Sequence, residues 1–421
     1  MGLDKYKRDM MCCTRCGFCK VIFGPMQKSW RFNSACPIHK KYGFDAYSGQ
    51  GLLNIAYKML EGKLETSKKL PEVVYSCTTC GYCDYACKWV HANAEVLDTI
   101  LELRAKMVDD GKGPLPQHKR MAENVIKYKN VYGKPHEERF KWMYDDIKPA
   151  KSSNNEGLVY FVGCTTAYLK PEIAKATVKI LKAAEIDFTV LGPEEYCCGA
   201  HLWRTGQRDI AKEVMVHNIE AVKRLGAKTM LVSCAHCYGT FKREYPKVVD
   251  KLSFDVVHTS ELIKRLLNEG KLSLSNKIDL KVTYHDPCLL GRLGETYIPW
   301  EGEIKMFGIH VPPKTWLFGS NGVYDPPREV LKAIPGIDLV EMERIREYAW
   351  CCGGGTEVSQ VFPELATFAA EERINEAKTT AAEAIVSCCP HCAINFNRAI
   401  TKNKDKIKYY DLVELVLKAI S

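Results

Sequence analysis

The residues here that could do chemistry are cysteines, 20 of them in 421 residues. Two short runs come first. Cys13, Cys16 and Cys19 form CTRCGFC, with Cys36-Pro37 downstream, and Cys77, Cys80 and Cys83 form CTTCGYC, with Cys87 close behind. Three thiolates at C-x2-C-x2-C spacing wrap a loop around one corner of an iron–sulfur cubane and bind three irons, so a fourth ligand must come from elsewhere. Zinc is the competing reading, but it favours tetrahedral sites built from two separated C-x2-C pairs, which triple runs fit poorly.

A second pattern of five cysteines occurs twice. The first set is Cys164, Cys197, Cys198, Cys234 and Cys237, with gaps of 32 and 35 residues before and after the adjacent pair. The second set is Cys288, Cys351, Cys352, Cys389 and Cys392, with gaps of 62 and 36 residues. Five thiolates exceed what one zinc ion or one cubane corner needs, and adjacent cysteines do not easily serve one tetrahedral metal. The inference is a metal cluster with an unusual or bridging ligand set. Glycine follows each pair, where a backbone without Cβ can approach an inorganic core. Cys12 and Cys388 lie outside both patterns.

Histidines stand among these ligands. His236 and His391 fall inside the two C-x2-C turns, and His285 precedes Asp286-Pro287-Cys288. Each is placed either to donate a hydrogen bond to sulfur, to give a proton to a leaving thiolate, or to pack its turn. His285 and His391, near the second set, are the catalytic candidates. Trp203 and Arg204 read as core rather than as an access path, and His39 as a surface histidine.

The elements that must carry these residues alternate. GLVYFVG (157–163) reads as a buried strand, PEIAKATVKILKAA (171–184) as a helix, IDFTVLG as a strand, RDIAKEVMVHNIEAVKRLG as a helix stopped by Gly226, and KTMLVSC as a strand. The order then returns: LKVTYHDPCLLGR answers GLVYFVGCTTAYL, and EAIVSCCPHC answers KTMLVSCAHC. The predicted fold is α/β: a helical ferredoxin-type N-terminal domain followed by two duplicated domains with mainly parallel sheets. Residues 1–105 form the first domain, 106–156 a solvated helical connector ending in the linker Ser152-Ser153-Asn154-Asn155, and 157–275 and 276–421 the two duplicated units. Cys164, Cys234, Cys288 and Cys389 fall just past strand ends, where open α/β sheets gather ligands.

The triple runs resemble those of two-cluster bacterial ferredoxins, whose fourth ligand comes from the other run. That resemblance implies one [4Fe-4S] cubane on Cys13, Cys16, Cys19 and Cys87, and a second on Cys77, Cys80, Cys83 and Cys36. The chain departs from the pattern in the 16 residues between Cys19 and Cys36 and in Lys88, where proline usually follows the fourth cysteine. Taken whole, two such runs ahead of two C…CCG…C-x2-C sets resemble the cysteine-rich CCG-domain iron–sulfur family. That family includes the D subunit of heterodisulfide reductase and the D-type subunit of class II benzoyl-CoA reductase complexes. The resemblance implies a noncubane [4Fe-4S] cluster on each five-cysteine set, beside the two cubanes, and an oxidoreductase subunit with heterodisulfide-reductase-like thiol/disulfide chemistry. Its alternative is a non-catalytic electron-transfer subunit of a larger anaerobic complex. The implied partners are other redox subunits, whether a cytochrome b, a flavoprotein or a tungsten enzyme.

Other classes are excluded or unsupported. The net charge of +9 is spread over scattered bases with no nucleic-acid motif. No GxGxxG or GxxxxGK[ST] points to a nucleotide. MGLDKYKRDM is polar and no apolar stretch approaches the roughly 18 residues that span a bilayer, so a cytoplasmic protein is expected, touching membrane only through a partner. The second half departs from the first between Cys288 and Cys351, where 62 residues replace 32. This insertion, around residues 294–321, is expected as an ordered loop over the second set, as a lid or a subunit contact, or as surface decoration.

Overall fold

The computed structural model describes residues 2–65, 67–90, 94–143, 157–249, 251–306 and 309–420. The expected linker Ser152-Ser153-Asn154-Asn155 lies outside the described residues. Each half of the C-terminal region builds a four-stranded parallel sheet. In the first, β1 (Leu158–Phe161), β2 (Thr189–Val190), β3 (Thr229–Val232) and β4 (Asp255–His258) lie in the order β2-β1-β3-β4. The second half holds β5 (Leu280–Tyr284), a hairpin of β6 (Glu303–Ile304) and β7 (His310–Val311), then β8 (Ile337–Val340), β9 (Ala384–Ser387) and β10 (Lys408–Asp411). Its sheet runs β8-β5-β9-β10, the same order as the first, with every pairing parallel. Central strands β1, β3 and β9 are buried apolar runs, as parallel strands covered on both faces must be.

The duplication extends to the helix caps. After the last strand of the first half, His258 accepts from Ser260 N–H while the Glu261 carboxylate accepts from His258 N–H; Asp411 and Glu414 repeat this reciprocal cap at helix Leu412–Ala419. Helix Leu412–Ala419 packs on helix Pro171–Ala183 of the first half, and helix Thr259–Asn268 packs on helix Asp325–Ala333 of the second. The halves are thus knitted reciprocally.

The N-terminal region is helical, with helices Gly49–Leu60 and Val96–Asp109 at its centre. Helix Val96–Asp109 continues through position 105, where the first domain was expected to stop. The connector differs from its expected solvated form. Helix Pro116–Tyr128 buries His118, Met121, Ala122 and Val125, and all but the histidine join the core of the CCG halves. Buried guanidiniums fasten the regions together. Arg104 donates to the carbonyls of Val74, Cys77 and Arg204, and Arg204 donates to the carbonyl and hydroxyl of Thr79. Among the described residues, no helix is long and apolar enough to cross a membrane.

Candidate metal centre

Two small cavities sit side by side in the N-terminal region. One is lined by Cys13, Cys16, Cys19 and Cys87, the other by Cys36, Cys77, Cys80 and Cys83, and Cys19 and Cys83 line both. The two loops wind alike: Arg15 and Gly17 in the first run, and Thr79 and Gly81 in the second, all have positive φ. Gly49 stands between the cavities, where a Cβ would lie 2.6 Å from that of Cys83. Burial pushes the Cys19 thiol up to about 11 and the Cys87 thiol up to about 12, and raises Cys36 and Cys83 well above their ordinary value. As free thiols these groups hold their protons at neutral pH, so binding iron as thiolates must release protons.

A third small cavity is lined by all five cysteines of the second set. The Sγ atoms of Cys352 and Cys392 are 3.1 Å apart, and Cys351 neighbours both Cys288 and Cys352. The glycines act locally. Gly353 N–H donates to Cys351 Sγ and Gly354 N–H to Cys352 Sγ, each at 3.3 Å. Gly353 reaches that turn at φ +73°, and a Cβ there would press on Ala369 Cβ at 2.8 Å. The expectation that glycine makes room for an inorganic core is therefore refined: here its absent side chain makes room for a helix, and its N–H meets sulfur. His285 Nδ1 accepts from Arg373 Nε at 3.2 Å, and the ring lies within 4.8 Å of the Cys352 and Cys392 sulfurs.

In the first set, Cys197 contacts Cys164 and Cys198, Cys198 contacts Cys237, and Cys237 contacts Cys234. Buried Glu195 accepts from Val162 N–H and Gly163 N–H, both at 2.9 Å, and from Arg139 at 2.8 Å, which anchors the turn into Cys164.

The four groups adjoin one another. Cys80 touches Cys351, and that hydrogen bond, opposed by burial and helped by Arg292, holds the Cys80 thiol well below its ordinary value. Arg292 clamps the contact by donating to the carbonyls of Cys80 and Ala349, each at 2.7 Å. Cys234 touches Cys389, so the two sets also meet. Around that junction lie three buried imidazoles. His391 shares hydrogen bonds with Thr165 (3.0 Å) and Thr356 (3.2 Å), its ring centroid 4.0 Å from that of His236. His236 Nδ1 is 4.0 Å from Cys389 Sγ, so the histidine of one half faces a cysteine of the other. His201 Nδ1 pairs with Glu357 at 2.7 Å; burial would raise that carboxyl, but His201 holds it well below the carboxylate range.

Of the two catalytic candidates, His285 reaches the second set, while His391 sits at the junction of the halves. Arg204 lines the third cavity from a buried position, and Trp203 is buried beneath Arg208. Cys388 is buried outside that cavity and receives the Tyr284 hydroxyl at 3.6 Å. The insertion sends its contacts elsewhere than expected: Lys314 pairs with Glu95 at 2.6 Å and Lys88 donates to the Leu317 carbonyl, next to Cys87 rather than over the second set. Sequence reasoning missed His201, Glu357, Arg292 and Arg373. The first two stood in view, since each closely follows a CCG. All-thiol donor sets enclosing small cavities fit iron–sulfur clusters, because soft thiolates select them over oxygen-loving ions.

The cysteine-rich domain model called CCG matches residues 158–242 and 315–397, and a 4Fe-4S dicluster domain matches residues 9–89. The second CCG match begins after Cys288. The chain is 34% identical to the D subunit of the dihydromethanophenazine:CoB–CoM heterodisulfide reductase of Methanosarcina acetivorans, over 97% of this chain and 93% of that one. It is 29% identical to the EtfAB:quinone oxidoreductase of Syntrophomonas wolfei, over 83% of this chain and 47% of that one. It is 27% identical to the B subunit of the fumarate reductase (CoM/CoB) of Methanothermobacter marburgensis, over 92% and 70%. A hypothetical protein of Helicobacter pylori shares the fold, with TM-score 0.51 and 10% identity over 88% of this chain and 67% of that one.

Proposed function

The chain belongs to the iron–sulfur family that joins a 4Fe-4S dicluster domain to two cysteine-rich CCG domains, the heterodisulfide reductase D subunit among them, and from this premise we propose that it interconverts a disulfide and its thiols within a larger redox complex. In this reading Cys13, Cys16, Cys19 and Cys87 hold one cubane, and Cys36, Cys77, Cys80 and Cys83 the other. Cys164, Cys197, Cys198, Cys234 and Cys237, and then Cys288, Cys351, Cys352, Cys389 and Cys392, each hold a noncubane [4Fe-4S] cluster. When bound, such clusters supply one-electron transfer and, on the CCG sets, iron that can take a substrate sulfur.

The observation that carries the reading is the unbroken succession of cysteines, with Cys19 and Cys83 shared between the first two cavities, Cys80 against Cys351, and Cys389 against Cys234. Cys16 is the one cysteine exposed at the surface, which supports putting the partner subunit at that end. Reducing a disulfide consumes two electrons and two protons and yields two thiols. Beside the third cavity, His201 Nδ1 meets Glu357 at 2.7 Å, and Glu357 and His236 line the cavity wall. Arg292 and Arg204 hold the N-terminal loop against the second set. The partner is a redox protein of the cytochrome b, flavoprotein or tungsten-enzyme class, with this chain in the cytoplasm and membrane contact through that partner.

Anaerobically purified complex should contain about 16 irons per chain, four from each of four clusters. Adding a thiol to the oxidised complex should raise a new paramagnetic signal. About eight irons would sink the four-cluster reading. One observation favours the alternative of a non-catalytic electron carrier: nine of the ten CCG cysteines are buried and Cys288 is half-buried. A full iron complement with no thiol-dependent signal would decide for that alternative.

A further inference from the structure

We propose that Arg373 locks His285 as an Nε2–H donor to the sulfur of Cys352, and that this holds the cluster on the second set at a more positive reduction potential than the cluster on the first. The inference rests on reading both five-cysteine sets as cluster sites, and adds an electronic difference between them.

The argument is one of protons. A guanidinium has only donors and stays charged in proteins. Arg373 Nε points at His285 Nδ1 at 3.2 Å, so Nδ1 must offer its lone pair and the ring proton must sit on Nε2. That atom is buried, forms no hydrogen bond to any atom, sulfur included, and belongs to a residue only 1% exposed. A ring nitrogen of His285 lies within 4.8 Å of the Cys352 and Cys392 sulfurs, so the unpartnered donor has those sulfurs beside it. A nitrogen that carries a proton cannot bind iron, so this imidazole donates to sulfur instead of becoming a ligand.

The rest of the surroundings keep the geometry. Arg373 Nη1 donates to Glu376 at 2.7 Å, and Glu376 is gripped in turn by the side chain (2.9 Å) and backbone N–H (2.6 Å) of Arg344. Phe396 meets the imidazole edge to face at 5.0 Å. The first half repeats only the ring contact, with Phe161 edge to face on Phe241 at 5.1 Å. Strand register sets Tyr284 against Val386 as it sets Tyr160 against Leu231, each partner lying three residues before a cysteine of the C-x2-C pair, so Phe161 stands where His285 stands. Counted 21 and 24 residues from Cys198 and from Cys352, Ile219 and Val222 answer Arg373 and Glu376. A hydrogen bond to a ligand sulfur favours the more negatively charged, reduced cluster, so the site that has the donor is easier to reduce.

The test is a potentiometric titration of the anaerobic complex followed by paramagnetic resonance, with the second-set centre identified by its loss in Cys389→Ser. In the native complex that centre should be the easier CCG centre to reduce. His285→Leu should move it negative while the first-set and cubane centres stay put, and His285→Gln, which keeps an N–H, should restore most of the shift. In the native protein with 15N-histidine, the same centre should show a weak exchangeable-proton coupling and no directly bonded nitrogen, a result that needs no variant to fold. Unchanged potential in a fully loaded His285→Leu complex, or a strong directly bonded 15N coupling, would overturn the proposal. Absence of any second-set centre from the native complex would overturn the cluster reading beneath it instead.

Discussion

The two CCG halves share a strand order, a cysteine order and a pair of reciprocal helix caps, yet they surround their sulfurs differently. In the first, the turn into Cys164 is tied by Glu195, which receives two backbone N–H groups and Arg139. In the second, the corresponding anchor is Asp286, which takes both Nη1 and Nη2 of Arg328 and the N–H of Arg346. The difference is deeper at the next layer, where Phe161, Ile219 and Val222 in the first half answer His285, Arg373 and Glu376 in the second. Duplication kept what orders the sulfurs, because strand, turn and cap geometry leave little freedom. It did not keep the polar groups behind them, which tune a site without building it.

The sharpest way to break this comparison is to remove one site. Cys389→Ser should abolish the second-set centre and lower iron content by about four per chain, with both cubane signals intact. Cys388→Ala, one residue away, should leave iron content and all signals unchanged, since its thiol meets Tyr284 rather than the cavity. Equal behaviour of the two variants would mean that the register of SCCPHC is wrong.

Next in size come the buried ion pairs. Arg139→Ala leaves Glu195 buried without its only cation among the described residues, a loss of about 3 to 5 kcal/mol of stability for a broken buried pair. Arg373→Ala should cost less, because Glu376 keeps Arg344. Denaturant midpoints of the two variants measure the difference, and a costlier Arg373→Ala would contradict the idea that the second half has redundant support.

Both levels of this comparison bear on what could be read in the chain. The alternation of strands and helices, the duplication and the recurring cysteine spacings were legible because each is written along the chain itself. The packed connector was not, since helix Pro116–Tyr128 is polar in composition and reveals its buried face only when His118 meets the Glu357 carbonyl, 239 positions away. Arg373 was hidden for the same reason. It sits in a charged helical stretch, AAEERINEAK, that resembles a solvated face, and its partner His285 lies 88 positions earlier. The insertion misled because sequence places it between two cysteines of the second set, whereas Lys314 and Leu317 fold it onto the dicluster region.

The smallest expected effect is on acid stability, and it belongs to the second half alone. Burial would raise the Glu376 carboxyl, but Arg373 and Arg344 outweigh burial and hold it below its ordinary value. A carboxyl whose folded value is depressed contributes stability that is present above its unfolded value, near 4.3, and that is lost as pH falls through the folded one. Glu376→Gln removes this contribution, so its loss of stability relative to the native chain should be greatest near neutral pH and shrink below about pH 4. The first half, with Val222 at this position, has no such group, so Val222→Ala should lower stability by the same amount at every pH. Denaturant midpoints across that range decide the matter: a Glu376→Gln deficit that stayed constant with pH would mean that the carboxyl is not held ionised, and with it would go the fixed anion that orients Arg373 toward His285.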